Sequence, residues 1–507
     1  MAKSKQMSQP SQQDMQALIA QLNSNQFALS ENLATSLITK HPHIFMLRHI
    51  LALALDGQQK YAQAVLAYQG AIKCQTNPHD PCMPDIWFNL GIALTQSNQL
   101  IESANAYLQA IKIKPNFFEA YGNLGTVYQR QGQLLAAIES YQAGIKINPN
   151  DARGHFNLGT ALRDKGALED AVKSYQQAIS LFSNYTDAHN NLGETWRDLG
   201  HMTAAVKCYQ AALTLNPNHA NANYNMADFL YLAKHYAQAL PYFERSQLDD
   251  WQQRQLVCLY KQADFAGFKQ KLDLICAHNP HQSPFLATLA HHYSINFNTP
   301  NPYNYCKNSL DFVYKNAIEQ LQQGNLLQDL LNDISNTAIA ERKQGRLTNG
   351  QQSAGNLFKR PEASFRTLAE LIKKEFLAYK NHFKTADCEL IKAFPSNLEF
   401  TSSWYVKMQQ GGHLSAHIHE IGWISGAVYL AMPTPTNGSN EGAFEYGMHG
   451  DDYPIVAPCT IDSFPLQHVM PNVGDIILFP SSLFHRTIPF SANQDRICIA
   501  FDLKPAD

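Results

Sequence analysis

The stretch GGHLSAHIHEIGWISG, residues 411–426, contains three histidines within seven positions. Neutral imidazole is a common ligand of transition metals, so the closely spaced His417 and His419 are candidates for a metal site. On a strand, alternate residues face one side, so both imidazoles would point into one pocket while Ile418 faces away. A third ligand is then expected from a distant strand, and His413 is left as a bystander.

The stretch GDIILFPSSLFHRTIPF, which begins at Gly474, supplies a candidate third ligand. It places His485 directly after an apolar run and a Pro-Ser-Ser turn. Arg496 follows inside the apolar run RICIAF. Burying a guanidinium is costly unless it binds an anion, and a carboxylate is its natural bidentate guest. These residues therefore indicate a metal site accompanied by an anion-binding arginine.

The elements that must position these residues begin after Gly345. SFRTLAELIKKEFLAYKNHF, residues 364–383, has the apolar spacing of one amphipathic helix. From about Leu398, short apolar runs alternate with turn residues, and the clearest are TSSWYVKM, WISGAVYLAM, GAFEYG, GDIILFP and RICIAFDL. Many short strands after one helix predict a jelly-roll, a double-stranded β-helix with a flanking helix.

The first half of the chain repeats itself every 34 residues. The motif Asn-Leu-Gly recurs at that step, with a relaxed last copy, Asn-Met-Ala, at residues 89–91, 123–125, 157–159, 191–193 and 225–227. An aromatic residue keeps the same step at Tyr107, Tyr141, Tyr175, Tyr209 and Phe243. Proline ends three copies, at Pro115, Pro149 and Pro217, and Ser183 is the single departure. Agreement at several positions in every copy predicts an array of helix pairs.

This pattern resembles the tetratricopeptide repeat, whose period is 34 residues. Glycine or alanine in the first helix allows close backbone approach, the aromatic residue fills the space between the helices, and proline stops the second helix. Degenerate copies extend the array towards the N-terminus, through Ala64, Tyr68 and Ala71 and through about residues 15–42. The resemblance implies an all-α solenoid with a concave groove over residues 15–250.

The asparagine of each motif occupies the position that lines the concave face in this family, and these residues are Asn89, Asn123, Asn157, Asn191 and Asn225. A carboxamide offers both a donor and an acceptor, so a ladder of them can pair with the backbone of an extended peptide. The resemblance thus implies a peptide or protein partner in the groove. The alternative is that asparagine is only a tolerated polar residue that duplication has repeated.

The chain has 507 residues, enough for two or three domains. Residues 1–14 are expected to be a disordered N-terminus, 15–250 the solenoid, 251–338 a helical cap or connector, and 339–507 the jelly-roll domain. The connector begins with DWQQRQLVCLYKQADFAGFKQKLDLICAH, which has helical apolar spacing without the repeat signature.

Composition excludes several classes of partner. Lysine and arginine total 39 against 42 acidic residues, a formal charge of −3, and no basic block occurs. Neither nucleic acid nor a membrane is therefore expected as a partner. The N-terminus lacks the apolar core of a secretory signal, and no apolar run approaches the ~18 residues that span a bilayer. With nine scattered cysteines and no CxxC pair, these features predict a cytoplasmic protein with reduced thiols.

The C-terminal segments together resemble the Fe(II)/2-oxoglutarate-dependent dioxygenases. The match is to a bacterial oxygenase subfamily, often preceded by tetratricopeptide repeats, with the signature HxH…SGxxYL…GDxxxFPSxxxH…RxxxAF. Here these elements read HIH, SGAVYL, GDIILFPSSLFH and RICIAF, within roughly residues 345–507. Carried over by position, His417, His419 and His485 are the metal ligands and Arg496 binds the distal carboxylate of 2-oxoglutarate.

The resemblance implies an enzyme. It would use Fe(II), 2-oxoglutarate and O2 to hydroxylate a peptide or protein recruited by the repeat groove, with succinate as the co-product. No side-chain general base is required, so no catalytic residues are expected beyond the metal ligands.

Two departures from the family pattern leave alternatives open. The wider family uses His-x-Asp/Glu…His, and here His419 replaces the carboxylate, while strand alternation points the adjacent Glu420 the other way. Three neutral imidazoles carry one negative charge less, which makes zinc or a catalytically silent site an alternative. In addition, Met408 lies where the related prolyl hydroxylases place a tyrosine that touches the co-substrate.

Two other functions remain as alternatives. A cupin-type metalloenzyme would share the barrel, since Gly411 and Gly474 open partial cupin motifs. The glutamate expected after the HxH pair is absent, with Trp423 and Ile424 there instead, and only the oxygenase interpretation explains Arg496. The third interpretation is a non-catalytic repeat scaffold with a degenerate or structural metal-binding barrel.

Other candidates receive no chemical role from the sequence. His291 and His292 are adjacent and face different sides of any regular element, which favours packing or surface roles. His449 and His468 are expected in solvated loops. Tyr429 is expected in the core or the wall of a pocket.

Overall fold

The computed structural model describes residues 9–75, 77, 80–336, 339, 346–353, 356–420, 422–436 and 439–506. The chain divides into two compact units, residues 1–229 and 230–507. Within the ranges that are described, no helix is both long enough and apolar enough to cross a membrane.

The first unit is made of consecutive helices, and those from α1 to α12 pack on one another in chain order. Their bounds are α1 Gln12–Asn23, α2 Phe27–Lys40, α3 Phe45–Gly57, α4 Tyr61–Cys74, α5 Met83–Gln96, α6 Leu100–Ile113, α7 Phe118–Arg130, α8 Leu134–Ile147, α9 Ala152–Lys165, α10 Leu168–Leu181, α11 Thr186–Asp198, α12 Met202–Leu215 and α13 Ala220–Leu232. From α5 to α12, each 34-residue repeat forms one helix pair, so the predicted helical solenoid is confirmed.

Each repeat is packed as its sequence predicts. A Cβ atom added to Gly125 of α7 would lie 2.6 Å from Cε1 of Tyr141 of α8, and the same distance applies to Gly91 and Tyr107. Real side chains do not approach this closely, so the motif glycine lets the two helices of a repeat come together. The tyrosine rings fill the space between them and are almost fully buried.

The turn between the two helices of each repeat also follows the 34-residue period. Its residue has a left-handed backbone conformation, with positive φ at Asn98, Gly132, Gly166, Gly200 and Lys234. Glycine adopts this conformation without steric cost, which accounts for its use in three of the five copies.

The degenerate copies and the N-terminus complete the first unit. Ala64, Tyr68 and Ala71 lie on α4 and are fully buried. The first helix begins at Gln12, after Ser11, whose Oγ accepts from the backbone N–H of Asp14 at 3.0 Å. Residues 1–8 of the predicted disordered N-terminus lie outside the described residues.

The second unit combines helices with antiparallel strands. Its further helices are α14 Tyr236–Ser246, α15 Trp251–Lys261, α16 Phe265–His278, α17 Pro284–Phe297, α18 Glu319–Gln322, α19 Leu326–Asn336, α20 Ala363–His382 and α21 Glu389–Lys392. Its strands are β1 Tyr314–Ala317, β2 Leu347–Gln352, β3 Leu398–Leu414, β4 Ile424–Ala431, β5 Phe444–Gly447, β6 Leu466–Val469, β7 Asp475–Pro480, β8 Phe484–Thr487 and β9 Arg496–Pro505. The predicted amphipathic helix is α20, and the five predicted strands are β3, β4, β5, β7 and β9.

The strands form two antiparallel sheets. One has six strands in the order β1-β7-β4-β9-β3-β2, and the other has three in the order β6-β5-β8. Their inner faces share one apolar cluster, which includes Met408, Tyr429, Phe444, Phe479 and Cys498. Two sheets around one core, with α20 as the flanking helix, form the predicted jelly-roll.

The segment predicted as a helical connector, residues 251–338, is not wholly helical. Its strand β1 pairs with β7, and Tyr314 lies opposite Leu478. A four-residue edge strand gives little sequence signal, because it is too short to show alternation. The finer division of the second unit at residue 338 stays a prediction.

Candidate metal centre

A single antiparallel β-bridge brings His417 and His485 together. The backbone N–H of each residue donates to the carbonyl oxygen of the other, at 3.1 and 3.0 Å. His485 lies on β8, whereas His417 lies in the segment between β3 and β4. The strand expected through the HxH pair is therefore reduced to one bridge, since the pairing of β3 with β2 ends at Leu414.

His419 completes a cluster of three imidazoles. Its backbone N–H donates to the carbonyl of Ser481 at 3.2 Å, which holds the segment against the turn before β8. The ring centroids of His417, His419 and His485 lie 4.3 to 5.2 Å apart. One ring nitrogen of each lies within 4.8 Å of the others. Three imidazoles that converge in this way can hold one transition-metal ion.

The Nδ1 atoms of His417 and His485 are hydrogen-bonded to backbone carbonyl groups. Nδ1 of His417 lies 2.8 Å from the carbonyl of Ser415, and Nδ1 of His485 lies 3.1 Å from the carbonyl of Leu483. Because a carbonyl oxygen only accepts, each Nδ1 carries the proton and donates it. Nε2 of each ring then keeps its lone pair, which is the atom a metal ion needs.

The protonation state of these rings also suits a metal. Burial, together with the neighbouring His419, lowers the pKa of His417 to about 3. Burial and the two other histidines hold the pKa of His485 well below its usual value. Both imidazoles are therefore neutral at physiological pH, and no proton has to leave Nε2 before a cation binds.

A buried carboxylate, Asp502 of β9, holds the third imidazole. It accepts from Nδ1 of His419, and it also accepts from Ser425 at 2.7 Å and from Ser402 at 2.9 Å. Burial would raise the pKa of this carboxyl, but the His419 ring and the two hydroxyls outweigh it and hold the pKa below its usual range. An ionised carboxylate behind a ligand histidine fixes its tautomer and raises its basicity.

Arg496, at the start of β9, is 2% exposed. Its Nε donates to the carbonyl of Gly442 at 3.0 Å, and its guanidinium lies 5.1 Å from the centroid of the Tyr429 ring. No carboxylate in the described part of the chain forms an ion pair with it. A buried cation with only neutral partners is prepared to bind an anion, and a carboxylate fits its donors.

The residues around Arg496 include a tyrosine that sequence reasoning assigned only to the core or a pocket wall. Met408 of β3 lies opposite Arg496 in the sheet. This agrees with the sequence analysis, which places Met408 where related enzymes have a residue that touches the co-substrate. Tyr429 of β4 contributes an aromatic ring beside the guanidinium and is itself buried. The tyrosine near the anion site thus comes from β4, where the SGAVYL motif could have indicated it.

A cavity of about 520 Å³ opens beside the imidazole cluster. His485 lines it together with His449, Phe464, Asp451 and Asp462. The cavity therefore gives a molecule from solvent access to the side of the cluster.

Two neighbours of the HxH pair lie outside the cluster. Glu420 forms an ion pair with Arg254 of α15 at 2.8 Å. His413 lies on β3, where its Nδ1 is 3.1 Å from the carbonyl of Gly411. Neither belongs to the group of three side chains that could share a metal ion.

The five motif asparagines do not share one environment. Asn89, Asn123, Asn157 and Asn191 are half-buried. Asn225 is buried, and its amide donates to Asn190 and to Glu194 at 3.0 Å while its oxygen accepts from Arg197. Its carboxamide is thus engaged within the first unit. Asn191 accepts from the amide of Asn190 at 3.3 Å, and the groove role of the four half-buried asparagines stays a prediction.

The remaining histidines correct one expectation. His291 and His292 are buried on α17, where they pack as expected. His468 is exposed, on β6 and not in a loop. His449 lies in a loop as expected but is half-buried, because its Nδ1 lies 2.9 Å from Nε2 of His292 and its ring packs against Phe464. The aromatic surroundings of His449 come from segments far apart in the chain, which local sequence does not reveal.

Comparisons with protein families match both halves of the chain. Residues 402–502 match the family described as "Putative 2OG-Fe(II) oxygenase". Residues 93–132, 130–162 and 159–200 match "TPR repeat", and residues 186–219 match "Tetratricopeptide repeat". Both resemblances inferred from the sequence are confirmed. No curated protein matches the chain.

Solved structures similar to part of this chain include the following three proteins. PilF of Pseudomonas aeruginosa is 20% identical, with a TM-score of 0.35, over 39% of this chain and 92% of PilF. YrrB, a TPR protein with an unusual peptide-binding site, is 20% identical, with a TM-score of 0.33, over 37% and 95%. Part of a TPR protein from Cytophaga hutchinsonii is 15% identical, with a TM-score of 0.40, over 46% and 93%. Each match spans less than half of this chain.

Proposed function

We propose that this chain, whose residues 402–502 match the 2OG-Fe(II) oxygenase family, is an Fe(II)/2-oxoglutarate-dependent oxygenase that hydroxylates a peptide or protein. The observation that carries the proposal is the pairing, within that one segment, of three convergent imidazoles and a buried arginine without an anionic partner. A cupin or a barrel with a structural metal would account for the three imidazoles, but neither would account for the buried arginine.

The histidine cluster fits Fe(II). His417, His419 and His485 would hold it through the nitrogens that the protein leaves unprotonated, and three ligands leave coordination positions open. Bound iron with 2-oxoglutarate and O2 would supply the oxidising power for hydroxylation of a C–H bond, with succinate and CO2 as co-products. Asp502 would hold the His419 ring in place, and its carboxylate would supply the negative charge that the triad lacks when His419 replaces a carboxylate ligand.

Arg496 fits the distal carboxylate of 2-oxoglutarate. Its guanidinium is fixed by the carbonyl of Gly442 and by the Tyr429 ring, so it would be in place before the co-substrate binds. The apolar surroundings, with Met408 and Cys498, exclude water and strengthen a charge pair. The role of these residues is positioning and charge balance.

The repeats support a peptide or protein as the substrate. Tetratricopeptide arrays generally bind peptides and proteins, and four of the motif asparagines are half-buried, whereas Asn225 is buried. In this proposal the groove recruits the partner, and the cavity beside His485 admits the residue to be hydroxylated.

The test is an assay for succinate. Purified protein with Fe(II), ascorbate and 2-oxoglutarate is expected to form succinate slowly even without a substrate. Full metal occupancy with no succinate at all would contradict the proposal and favour a scaffold with a structural metal site.

Two variants separate the assigned roles. His485→Ala is expected to abolish metal retention. Arg496→Ala is expected to retain the metal but to raise the KM for 2-oxoglutarate roughly 30-fold or more, because a buried charge pair is lost. Arg366→Ala, at an exposed position on α20, is the matched control. Equal loss of metal in the His485 and Arg496 variants would contradict these roles.

A further inference from the structure

A buried chain of hydrogen bonds ends at the cavity beside the imidazole cluster. It runs from Asn296 through Tyr260 and His292 to His449, which lines the cavity. None of these residues belongs to the proposed metal or co-substrate site. In each of these hydrogen bonds the donor and the acceptor can be identified. Together they fix which ring nitrogen of His449 carries the proton.

The direction starts from the amide of Asn296, which two backbone groups hold in one orientation. The N–H of Val456 donates to its oxygen at 3.1 Å, and its nitrogen donates to the carbonyl of Pro454 at 2.8 Å. A backbone N–H can only donate and a carbonyl can only accept, so oxygen and nitrogen cannot be exchanged. The second amide proton therefore goes to the hydroxyl of Tyr260, at 2.9 Å.

The Tyr260 hydroxyl passes this direction to His292. It lies 2.7 Å from Nδ1 of His292, and no other acceptor for its proton exists in the described ranges. The hydroxyl therefore donates to Nδ1. Burial lowers the pKa of His292 to about 3, so the ring is neutral, and its single proton must lie on Nε2.

His292 in turn sets the tautomer of His449. Nε2 of His292 lies 2.9 Å from Nδ1 of His449, so Nδ1 of His449 accepts. Burial lowers the pKa of His449 as well, which favours a neutral ring. Its one proton is then on Nε2, an atom with no hydrogen-bond partner among the residues described.

We propose that His449 presents this Nε2–H to the substrate, as the hydrogen-bond donor that orients a peptide amide carbonyl beside the metal centre. The inference rests on the proposed function, because it takes the cavity as the substrate entrance. Tyr260 and His292 are positioning residues, since they act only through the tautomer of His449.

The charges of the cavity favour an amide carbonyl over a carboxylate. Asp451 and Asp462 line it and are exposed, so they repel an acidic group. Glu445 also lines it, but Arg486 pairs with this carboxylate and neutralises it. The Nε2–H of His449 is therefore expected to bind a neutral amide carbonyl in preference to a carboxylate.

The first experiment measures the tautomers and needs no substrate. Full-length protein with 15N-labelled histidine is examined by long-range 1H–15N NMR, with signals assigned through His292→Gln and His449→Gln. We expect His292 and His449 to carry their protons on Nε2. Tyr260→Phe removes the directing hydroxyl and leaves only the Asn296 amide, 3.4 Å from Nδ1 of His292, as a weaker donor, so part of His449 is expected to adopt the other tautomer. A proton on Nδ1 of His449 in the wild type would overturn the inference.

The second experiment measures recognition with a library of synthetic decapeptides of neutral, basic and acidic composition. Neutral and basic peptides are expected to stimulate succinate formation by the wild type more than acidic ones. His449→Ala is expected to raise the KM of a stimulating peptide by about tenfold, the effect of one lost hydrogen bond. His449→Gln should recover part of the loss, because its amide can donate.

A control variant and the metal content complete the design. His468→Ala removes an exposed histidine from β6 and is expected to leave the KM unchanged, and only variants with wild-type metal content are compared. An unchanged KM in His449→Ala would overturn this inference alone. Succinate formation that no peptide in the library stimulates would overturn this inference together with the peptide substrate of the proposed function. Absence of succinate from metal-loaded wild type would instead overturn the proposed function.

Discussion

The carboxylate of Asp502 lies one hydrogen bond beyond the cluster of histidines. In a 2-His-1-carboxylate triad, the negatively charged carboxylate binds the metal directly. Here the third residue is His419, and the charge sits behind it, on a buried group that also accepts from two serine hydroxyls. The departure that the sequence shows at position 419 is thus accompanied by a carboxylate that can compensate for it.

We predict that Asp502→Asn weakens Fe(II) binding about 10- to 100-fold, as loss of such a partner commonly does. Asparagine keeps the shape and can still accept a hydrogen bond, so the change isolates the charge. The measurement is anaerobic titration of metal-free protein with Fe(II). Asp387→Asn removes an exposed carboxylate that pairs with Lys392 and is the control. Equal affinity in both variants would mean that Asp502 has only a structural role.

At the scale of elements, the motif glycine fixes the distance between the helices of a repeat. We predict that Gly125→Ala destabilises the solenoid by about 1–3 kcal/mol, because the added methyl group meets the buried Tyr141 ring. Gly122→Ala, on the same helix, places its methyl group in open space and should stabilise by about 0.5–1 kcal/mol. Urea unfolding followed by circular dichroism distinguishes the two. Equal shifts would contradict the packing argument.

A polar network joins three first helices of neighbouring repeats. Glu194 of α11 pairs with Arg163 of α9 and accepts from Asn225 of α13. Burial would raise the pKa of Glu194, but the Asn225 amide, the Arg163 guanidinium and the Asn190 amide outweigh it and lower the pKa below its usual value. The fifth motif asparagine therefore supports the array instead of lining a free groove.

This network predicts a pH dependence. A carboxyl whose pKa is lowered on folding stabilises the protein fully above its unfolded pKa, about 4.3, and loses that contribution as the pH falls through the folded value. Glu194→Gln should cost about 1–3 kcal/mol at pH 7, and the difference from wild type should shrink below about pH 4. Glu139→Gln, exposed on α8, is the control. A difference that does not change between pH 7 and acid would contradict the prediction.

At the scale of the whole molecule, the proposal gives each unit a separate task. The repeats would bind a partner through its backbone, and the barrel would hydroxylate it. An interaction that reads only the backbone tolerates many sequences, so selectivity must come from elsewhere. The cavity beside His485, with the donor of His449 and the carboxylates of Asp451 and Asp462, offers that selectivity.

The groove hypothesis has a matched test. Asn123, Asn157 and Asn191 changed together to alanine should weaken binding of peptides selected on the wild type by roughly tenfold or more, because several backbone hydrogen bonds are lost. The control changes Asn116, Asn150 and Asn184, which follow the same 34-residue step but are exposed in turns. Equal affinity of the two triple variants would remove the asparagine ladder from the binding site.

Sequence reasoning succeeded where one local pattern repeats or where several motifs are linked. It predicted the helix pairs, the strands β3, β4, β5, β7 and β9, and the residues that the fold gathers into the histidine cluster. It missed Asp502, although the argument applied to Arg496, a charge inside an apolar strand, applies equally to it. It also missed β1 and the contacts of His449 with His292 and Phe464, since short edge strands and distant contacts leave no local periodicity.

The sequence by itself determined the repeat array, because each repeat packs on its neighbours in the chain and its period records that packing. It also predicted the histidines that converge in the fold and the arginine that is buried there, because residue types and linked motifs can be read without knowing which segments meet. Only the tertiary structure decided that Asp502 holds His419, 83 residues away in the chain, and that Tyr260 and His292 set the proton of His449. Such contacts depend on strand pairing and helix packing between remote segments, where a small shift changes which atoms meet.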